Sequence, residues 1–208
     1  MSNPHKSKNK DLPRWGMVID LDRCVGCHTC EIACKFENDV PLGIWRGWVK
    51  EIEKGTQPNV VRSFRPTLCN HCENPICVKV CPVHASWQRE DGIVMINPHL
   101  CVGCKYCMAS CPYEVRYIHP QKGIIDKCDF CSTRVDAGLK PSCVEACPAS
   151  ARIFGNLNDP KSEVAKLVAT KPVVTLKPEM GTGPRVYYIS LDNATMEIKR
   201  EVKLVWEK

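Results

Sequence analysis

Sixteen cysteines in a chain of 208 residues constrain the fold of this protein more than any other feature. The clearest group is Cys101, Cys104, Cys107 and Cys111, followed by Pro112, with the spacing C-x2-C-x2-C-x3-C-P. This spacing is typical of iron–sulfur sites, in which three thiolates of one short loop hold one cluster and the fourth binds another. We expect the fourth cysteine to start a helix, because proline fits the first helical turn, where no backbone donor is needed.

The remaining cysteines form three related motifs. Motif I is Cys24, Cys27, Cys30 and Cys34; motif II is Cys69, Cys72, Cys77 and Cys81; motif III is the group above; motif IV is Cys128, Cys131, Cys143 and Cys147. The segments around Cys24 and Cys101 resemble each other, which indicates that a ferredoxin unit is used twice. Gly26 and Gly103 stand where the loop backbone is expected to approach a cluster closely.

Two other uses of cysteine fit these spacings less well. Disulfide scaffolds are typical of short secreted chains, and the neighbours in C-x2-C are poorly placed to pair with each other. Zinc sites use paired C-x2-C elements and do not require three cysteines in one loop followed by a fourth at a fixed step. The pattern therefore favours iron–sulfur clusters, and bound metal would also contribute folding energy to a chain with a modest apolar core.

The formal net charge of +6 does not indicate a nucleic-acid-binding protein. Sixteen thiolates add about −16 and four oxidised cluster cores return about +8, so the loaded protein has a charge of about −2. We interpret the basic excess as compensation for cluster charge, since no RNA- or DNA-binding motif is present. Lys35, Arg116 and Lys127 adjoin cluster cysteines, and each is either a charge that raises a cluster potential or an ordinary surface cation.

No residue pattern points to a catalytic site. The chain has no Ser/His/Asp set, no paired acidic couple and no glycine-rich phosphate loop that stands out. His28 and His71 lie inside cluster loops, but each cluster already has four thiolates, so we expect hydrogen bonding or exposure instead of ligation. Clusters pass one electron at a time with little rearrangement, and four of them in one small protein indicate a wire between two distant redox sites.

The segments between the cysteines predict an α+β fold of tandem ferredoxin-like type, built from two pseudo-symmetric units that each hold two 4Fe–4S clusters. We expect a flexible tail over residues 1–12, a four-cluster region over residues 13–154 and a strand-rich extension without a cofactor over residues 155–208, which packs on the core or on a partner. A hairpin insertion is expected at about residues 40–66. Strands are predicted at residues 16–22, 45–53, 60–64, 92–96, 173–176 and 186–190.

Three further expectations concern the surface and the ends of the chain. A helix is predicted from Asp159-Pro160 to about Thr170, with Asp159 as the N-cap. Trp45 and Trp48 are expected to pack beneath the hairpin or, alternatively, to face a partner. No apolar stretch approaches the roughly 20 residues that cross a bilayer. Residues 1–10 show neither a Sec signal nor a twin-arginine pair, so we expect no membrane span and no export signal in this chain.

The order of the four motifs, the last interrupted by a loop, resembles the four-cluster electron-transfer subunits of the molybdopterin oxidoreductase (dimethyl sulfoxide reductase) superfamily. The details are most similar to the B subunits of polysulfide and thiosulfate reductases. The resemblance covers about residues 15–190, and it is specific for the family but only weakly specific for the substrate. Its matching features are Cys24-Val25-Gly26-Cys27, Leu68-Cys69-Asn70-His71-Cys72-Glu73-Asn74-Pro75, Cys111-Pro112-Tyr113, Arg152-Ile153-Phe154-Gly155, Asp159-Pro160 and Gly183-Pro184-Arg185.

The resemblance implies that the motifs exchange their fourth ligands, whereas the spacing alone indicates only the triplets. The implied sets are Cys24, Cys27, Cys30 and Cys147 (cluster a); Cys34, Cys128, Cys131 and Cys143 (cluster b); Cys69, Cys72, Cys77 and Cys111 (cluster c); and Cys81, Cys101, Cys104 and Cys107 (cluster d). Nitrate reductase relatives have tryptophan at the position of Cys104 and hold a 3Fe–4S cluster there. Because this chain has a cysteine, the resemblance implies four 4Fe–4S clusters.

The same resemblance implies a function in anaerobic respiration. Family members connect a molybdopterin-containing catalytic subunit with an integral-membrane subunit that oxidises quinol. This chain would be the non-catalytic electron-transfer subunit of such a complex. The complex as a whole would reduce a sulfur compound such as polysulfide or thiosulfate. It would lie at the periplasmic face of the membrane through co-export with the catalytic subunit, or alternatively at the cytoplasmic face. The alternative function is a soluble polyferredoxin or the iron–sulfur subunit of a hydrogenase or formate dehydrogenase.

Overall fold

The computed structural model describes residues 12–196, with short helices and strands around the cysteine loops. The strands are β1 (Trp15–Asp20), β2 (Trp48–Lys54), β3 (Val61–Thr67), β4 (Ser86–Gln88), β5 (Val94–Ile96), β6 (Arg116–Ile118), β7 (Ile125–Lys127), β8 (Arg152–Asn156), β9 (Val173–Val174) and β10 (Val186–Ile189). The helices are α1 (Thr29–Glu37), α2 (Ile76–Lys79), α3 (Tyr106–Ala109), α4 (Ser132–Asp136), α5 (Ser142–Glu145), α6 (Glu163–Thr170) and α7 (Asn193–Met196), with a 3₁₀ turn at Pro178–Met180. This mixed content agrees with the predicted α+β class.

Among the described residues, the largest sheet has four strands in the order β8-β1-β10-β9. β1 pairs antiparallel with β8 and parallel with β10, so a strand from the C-terminal extension lies beside a strand from the start of the chain. Side chains alternate along a strand, and β1 uses both faces. Met17 and Ile19 join the main core, whereas Val18 packs with Val164 of α6 on the opposite face.

Three antiparallel hairpins connect successive cysteine motifs. β2 and β3 link motif I to motif II, β4 and β5 link motif II to motif III, and β6 and β7 link motif III to motif IV. The first of these is the predicted hairpin, although its strands begin at Trp48 and Val61 and the second continues to Thr67. Trp48 packs against the main core, and Trp45 lies beneath the ammonium group of Lys35.

The expectation that the fourth cysteine starts a helix is wrong. Helices α2, α3 and α5 each contain the third cysteine of a motif, and the fourth cysteine follows the end of the helix. In motif I both the third and the fourth cysteine lie within α1. After the fourth cysteine of motifs II, III and IV the chain turns through a residue with positive φ before it enters a strand. These residues are His84, Glu114 and Ser150.

The predicted start of α6 is also wrong. The helix begins at Glu163 after Ser162, and Asp159 belongs to the turn that precedes it. The Asp159 Oδ1 atom accepts a hydrogen bond from the Lys161 N–H at 2.9 Å, and the Asp159 carbonyl accepts one from the Ser162 N–H at 3.0 Å. The aspartate therefore caps this turn and not the helix.

Of the two strands predicted in the C-terminal extension, β10 closely matches its predicted range, whereas β9 is only two residues long. In the described part of the chain, no helix is long and apolar enough to cross a membrane. The flexible tail predicted for residues 1–12 lies outside the described residues, except for residue 12.

Candidate iron–sulfur centres

The predicted cysteines line four cavities in the described part of the chain, which we name cavities A to D. Cavity A is lined by Cys24, Cys27, Cys30 and Cys147; cavity B by Cys34, Cys128 and Cys143, and also by Cys30; cavity C by Cys69, Cys72, Cys77 and Cys111; and cavity D by Cys81, Cys101, Cys104 and Cys107. Cavities A, C and D thus each bring together the four thiols of one implied ligand set, and cavity B brings together three.

Cys131, the remaining member of the set around cavity B, is brought close by a polar network. The amide nitrogen Nδ2 of Asn38 lies 3.7 Å from the Sγ atoms of both Cys34 and Cys131. Arg46 Nη1 holds this amide by donating to Asn38 Oδ1 at 2.8 Å, and it also pairs with Asp129 Oδ1 at 3.2 Å. The network therefore fixes two of the predicted ligands relative to each other.

Each cysteine loop contains a left-handed residue directly before its second cysteine. The φ values are 66° at Gly26, 41° at His71, 67° at Gly103 and 57° at Phe130. The two glycines are also required by neighbouring protein atoms, because a Cβ at Gly26 would meet the Phe64 ring and one at Gly103 would lie 2.5 Å from the Gly123 carbonyl oxygen. These glycines were predicted to allow close approach to a cluster, and the structure supplies two local reasons for them as well.

Backbone N–H groups donate hydrogen bonds to cysteine sulfurs of cavities A, B and D. The pairs are Ser86 N to Cys81 Sγ at 3.4 Å, Ile125 N to Cys101 Sγ at 3.4 Å, Phe130 N to Cys128 Sγ at 3.4 Å and Ala151 N to Cys147 Sγ at 3.3 Å. Hydrogen bonds of this kind favour the thiolate and stabilise negative charge on a cluster. The loops are therefore built to hold charged sulfur.

Burial makes metal-free thiolates costly in these cavities. It raises the pKa of Cys34 and of Cys72 to about 12, and it raises the pKa of Cys128 well above its ordinary value. By contrast, hydrogen bonds from Thr29 lower the pKa of the exposed Cys27 thiol. A metal that binds the thiolates offsets the cost of burying them, so that cluster binding and folding are coupled.

The donor sets fit iron–sulfur clusters. They consist of soft thiols alone, and thiolates are the usual ligands of these clusters. Among the described residues, no three His, Cys, Asp or Glu side chains are close enough together to hold a single metal ion, so the sulfurs surround cavities and do not converge on one point. Arg116 Nη1 lies in the wall between cavities C and D, is buried and has no hydrogen-bond partner among the described residues. A cluster sulfur in either cavity would supply an acceptor for it.

The three cations that adjoin cluster cysteines differ in their surroundings. Lys35 Nζ donates to the carbonyl oxygens of Pro41 and, at 2.8 Å, of Ile44. Arg116 and Lys127 are only 4% and 2% exposed, so neither is an ordinary surface cation. Of the three cations, Arg116 and Lys127 therefore lie where solvent screens a charge poorly.

Both histidines of the cluster loops form hydrogen bonds, as predicted. His28 Nδ1 lies 3.0 Å from Glu31 Oε1. His71 is fully buried, and its Nδ1 atom accepts a hydrogen bond from the Val94 N–H at 3.0 Å. Burial, reinforced by the nearby charges of Lys127, Arg185 and Arg116, lowers the pKa of His71 well below 6.5. His71 is therefore a neutral side chain that orients a loop.

Thr182 and Arg152 line the cavities, and neither was predicted from the sequence as a residue of the site. Thr182, in the C-terminal extension, lines cavity C, and its Oγ1 atom lies 2.6 Å from the hydroxyl of Tyr113. Arg152 lines cavities A and B. A signal for Arg152 was available, because it follows Cys147 by five residues as Arg116 follows Cys111. No local pattern connects Thr182 with a cysteine motif.

Comparison with known proteins places this arrangement in a family. Two family models match the chain, a 4Fe-4S dicluster domain over residues 60–157 and a 4Fe-4S binding domain over residues 15–36. The chain is 42% identical over 212 residues to the B subunit of tetrathionate reductase from Salmonella typhimurium, and the match covers 99% of this chain and 85% of that protein. The chain belongs to the iron–sulfur subunits of the molybdopterin oxidoreductase family.

Two further relatives of this iron–sulfur subunit have other names. The B component of polysulfide reductase from Wolinella succinogenes is 42% identical over 179 residues, which cover 85% of this chain and 94% of that protein. The arsenate respiratory reductase iron-sulfur subunit ArrB of a Shewanella species is 39% identical over 225 residues, which cover 85% of this chain and 96% of that protein. The resemblance found in the sequence is thereby confirmed, and the iron–sulfur subunit is an electron-transfer component of a reductase complex.

Proposed function

We propose that this iron–sulfur subunit carries four 4Fe–4S clusters, one in each of cavities A to D, held by the four ligand sets a to d. Electrons pass through them one at a time, from an integral-membrane subunit that oxidises quinol to a molybdopterin-containing catalytic subunit. The iron–sulfur subunit is itself non-catalytic. The complex reduces a sulfur compound such as polysulfide or thiosulfate in anaerobic respiration.

The observation that carries this proposal is the serial arrangement of the cavities. Cavities A and B share Cys30 and Arg152 in their walls, and cavities C and D share Arg116. Between the two pairs, Cys128 of cavity B is close enough to Cys69 of cavity C for the charge of one to raise the pKa of the other, and both belong to the main core. The order A-B-C-D supports a wire with two separate ends.

The clusters supply the one-electron chemistry, and the chain holds them and sets their surroundings. The left-handed residues shape the loops, the backbone N–H groups stabilise charged sulfur, and the buried core around cavities B and C excludes water. Little protein rearrangement is needed because none of these groups has to move when an electron passes.

We also propose the tandem, pseudo-symmetric organisation and the domain boundaries expected from the sequence. The recurrence of a turn residue with positive φ after the fourth cysteine of motifs II, III and IV supports a repeated unit. The positions of β10 and Thr182 support an extension over residues 155–208 that packs on the four-cluster region at residues 13–154.

The substrate is proposed from the names of the relatives. Two of them, from Salmonella typhimurium and Wolinella succinogenes, are named for tetrathionate and polysulfide, and both are sulfur compounds. The relative from Shewanella is named for arsenate, so arsenate is the competing substrate in the experiment below. For location, we propose a peripheral position on the periplasmic face of the membrane, reached by co-export with the catalytic subunit.

The proposal is tested on the complex purified without air. We expect about sixteen iron atoms per iron–sulfur subunit and an electron paramagnetic resonance signal after reduction. We expect a quinol to reduce the clusters and polysulfide, thiosulfate or tetrathionate to reoxidise them, as followed by absorbance. Reoxidation by arsenate alone would contradict the substrate, and purification of the subunit without partners would contradict its place in a complex. Proteolysis of intact spheroplasts, compared with inverted vesicles, tests the face of the membrane.

A further inference from the structure

Two buried arginines occupy equivalent positions in the chain. Arg116 follows Cys111 by five residues and begins β6, and Arg152 follows Cys147 by five residues and begins β8. Their exposed fractions are 4% and 6%. A buried guanidinium is costly unless negative charge or hydrogen-bond acceptors compensate for it, so the surroundings of both side chains have to provide that compensation.

Each arginine lies in the wall between two cavities. Arg152 lines cavities A and B, and its Nη1 atom donates to Cys143 Sγ at 3.6 Å. Arg116 lines cavities C and D, and its Nη2 atom donates to Ser86 Oγ at 2.9 Å. One of these arginines is therefore shared by cavities A and B and the other by cavities C and D, and Arg46 additionally lines cavity B.

The groups that flank each arginine on its two sides are cysteine thiols, which carry negative charge when they are cluster ligands. Neither guanidinium forms a salt bridge with a carboxylate among the described residues. Arg152 donates to Cys143 Sγ and lines the same cavities as Cys30, whereas Arg116 lines cavity C with Cys77 and cavity D with Cys107. Each arginine thus has beside it the third cysteines of two different motifs. Arg116 Nη1 additionally has no hydrogen-bond partner in the described chain, and it is available to an acceptor in either cavity.

We propose that Arg152 and Arg116 are potential-setting residues, each sharing one positive charge between two clusters, Arg152 for the clusters of cavities A and B and Arg116 for those of cavities C and D. Reduction adds one electron, and thus one negative charge, to a cluster. A fixed positive charge in a poorly screened interior stabilises the reduced form and raises the potential. The inference rests on the proposed function, because it requires clusters in the cavities.

The proposal is tested by neutral and charge-retaining substitutions in the purified complex. The variants are Arg152→Gln, Arg152→Lys, Arg116→Gln and Arg116→Lys, and the midpoint potentials are measured by redox titration followed by electron paramagnetic resonance. We expect Arg152→Gln to lower two of the four potentials and Arg116→Gln to lower the other two. Each glutamine variant is thus the matched control for the other. The test requires only that the two variants lower different pairs of potentials, so it does not depend on knowing which signal belongs to which cluster.

The lysine variants distinguish charge from structure. Because lysine keeps the charge but loses the planar fork, we expect the potentials of both lysine variants to stay close to those of the unmodified complex. Loaded glutamine variants with unchanged potentials would overturn the proposal, as would a loaded lysine variant whose potentials fall as far as those of the glutamine variant. If a glutamine variant loses iron, the potentials of the corresponding lysine variant are used instead. Unchanged potentials would then support the proposal, and lowered potentials would overturn it, because lysine keeps the positive charge. Absence of clusters from the unmodified complex would instead contradict the proposed function itself.

Discussion

His71 and Phe130 stack face to face at the centre of the protein, with ring centroids 3.7 Å apart and an interplanar angle of 24°. Each residue directly precedes the second cysteine of its motif, and each has positive φ, where motifs I and III have glycine. A side chain other than glycine is strained in this conformation and persists only where packing compensates. The stack provides that packing, and it joins the loop of cavity C to the loop of cavity B.

The first prediction concerns the loss of this stack. Phe130 is 1% exposed and also contacts Phe154 edge-on at 5.2 Å, so Phe130→Ala removes two ring contacts and leaves a cavity. We expect a loss of about 3–5 kcal/mol in the free energy of unfolding, as is typical of buried phenylalanine. Denaturant unfolding of the loaded protein without air, followed by cluster absorbance, measures this loss.

The matched control is Phe36→Ala, because Phe36 is 92% exposed. A change there is expected to alter the free energy of unfolding by no more than about 0.5 kcal/mol. Equal effects of the two substitutions would mean that the stack does not stabilise the protein.

The second prediction concerns pH. Burial lowers the pKa of His71 in the folded state well below the value of 6.5 that applies when the chain is unfolded. Below that value the unfolded state binds one more proton at His71 than the folded state does, so stability decreases as the pH falls. We expect this proton to lower the free energy of unfolding by about 1.4 kcal/mol for each unit by which the pH falls below 6.5.

His71→Asn is the variant that isolates this contribution, because asparagine does not titrate and tolerates positive φ. We expect the free energy of unfolding to depend less steeply on pH in the variant than in the unmodified protein, between about pH 5 and pH 6.5. The comparison uses equilibrium unfolding without air at several pH values. Parallel pH profiles for the two proteins would show that His71 titrates normally in the folded state.

Much of the site could be predicted because its determinants are local. The spacing within each motif identified all sixteen candidate ligands, and turn residues between apolar runs identified the β2–β3 hairpin. The helix around the third cysteine was misplaced because proline after the fourth cysteine is compatible with a helix start and also with a chain that has just left a helix. The helix after Asp159 was misplaced for a related reason, since Asp159 and Ser162 are both good N-cap residues.

The remaining features depend on residues that are distant in the sequence. The parallel pairing of Met17 with Val186 has no local signal, and neither has the position of Thr182 in the wall of cavity C. Both follow from how the C-terminal extension returns to the first strand. A single sequence shows that Val186 begins an apolar run, but it does not show which strand that run will join.

The third prediction concerns Gly92, which has a φ of +86° and lies against the guanidinium of Arg185. Arg185 Nη1 donates a hydrogen bond to the Asp91 carbonyl at 3.0 Å, so this arginine stabilises the turn before β5. Gly92→Ala adds both backbone strain and a methyl group where the guanidinium lies. We expect a loss of about 2 kcal/mol or more in the free energy of unfolding.

Gly138→Ala is the matched control for Gly92→Ala. Gly138 has a similar φ of +77°, but an added Cβ would meet no atom within 4 Å. We therefore expect only the cost of the strained backbone, about 1 kcal/mol. If both glycine variants lose the same stability in denaturant unfolding, the contact with Arg185 is not what excludes a side chain at position 92.

The fourth prediction concerns Cys104, the second cysteine of motif III and an exposed thiol in the wall of cavity D. In Cys104→Ser the other three thiols of cavity D remain, but the serine hydroxyl would be a poorer ligand for iron than the thiolate it replaces. We expect the variant to lose about one iron atom per chain and to show a 3Fe–4S signal in the oxidised state, while the other three clusters stay intact. Iron analysis and electron paramagnetic resonance measure both effects. Leu100→Ala, an exposed change beside the same loop, is expected to keep all the iron, and full iron without a new signal in Cys104→Ser would exclude Cys104 as a ligand.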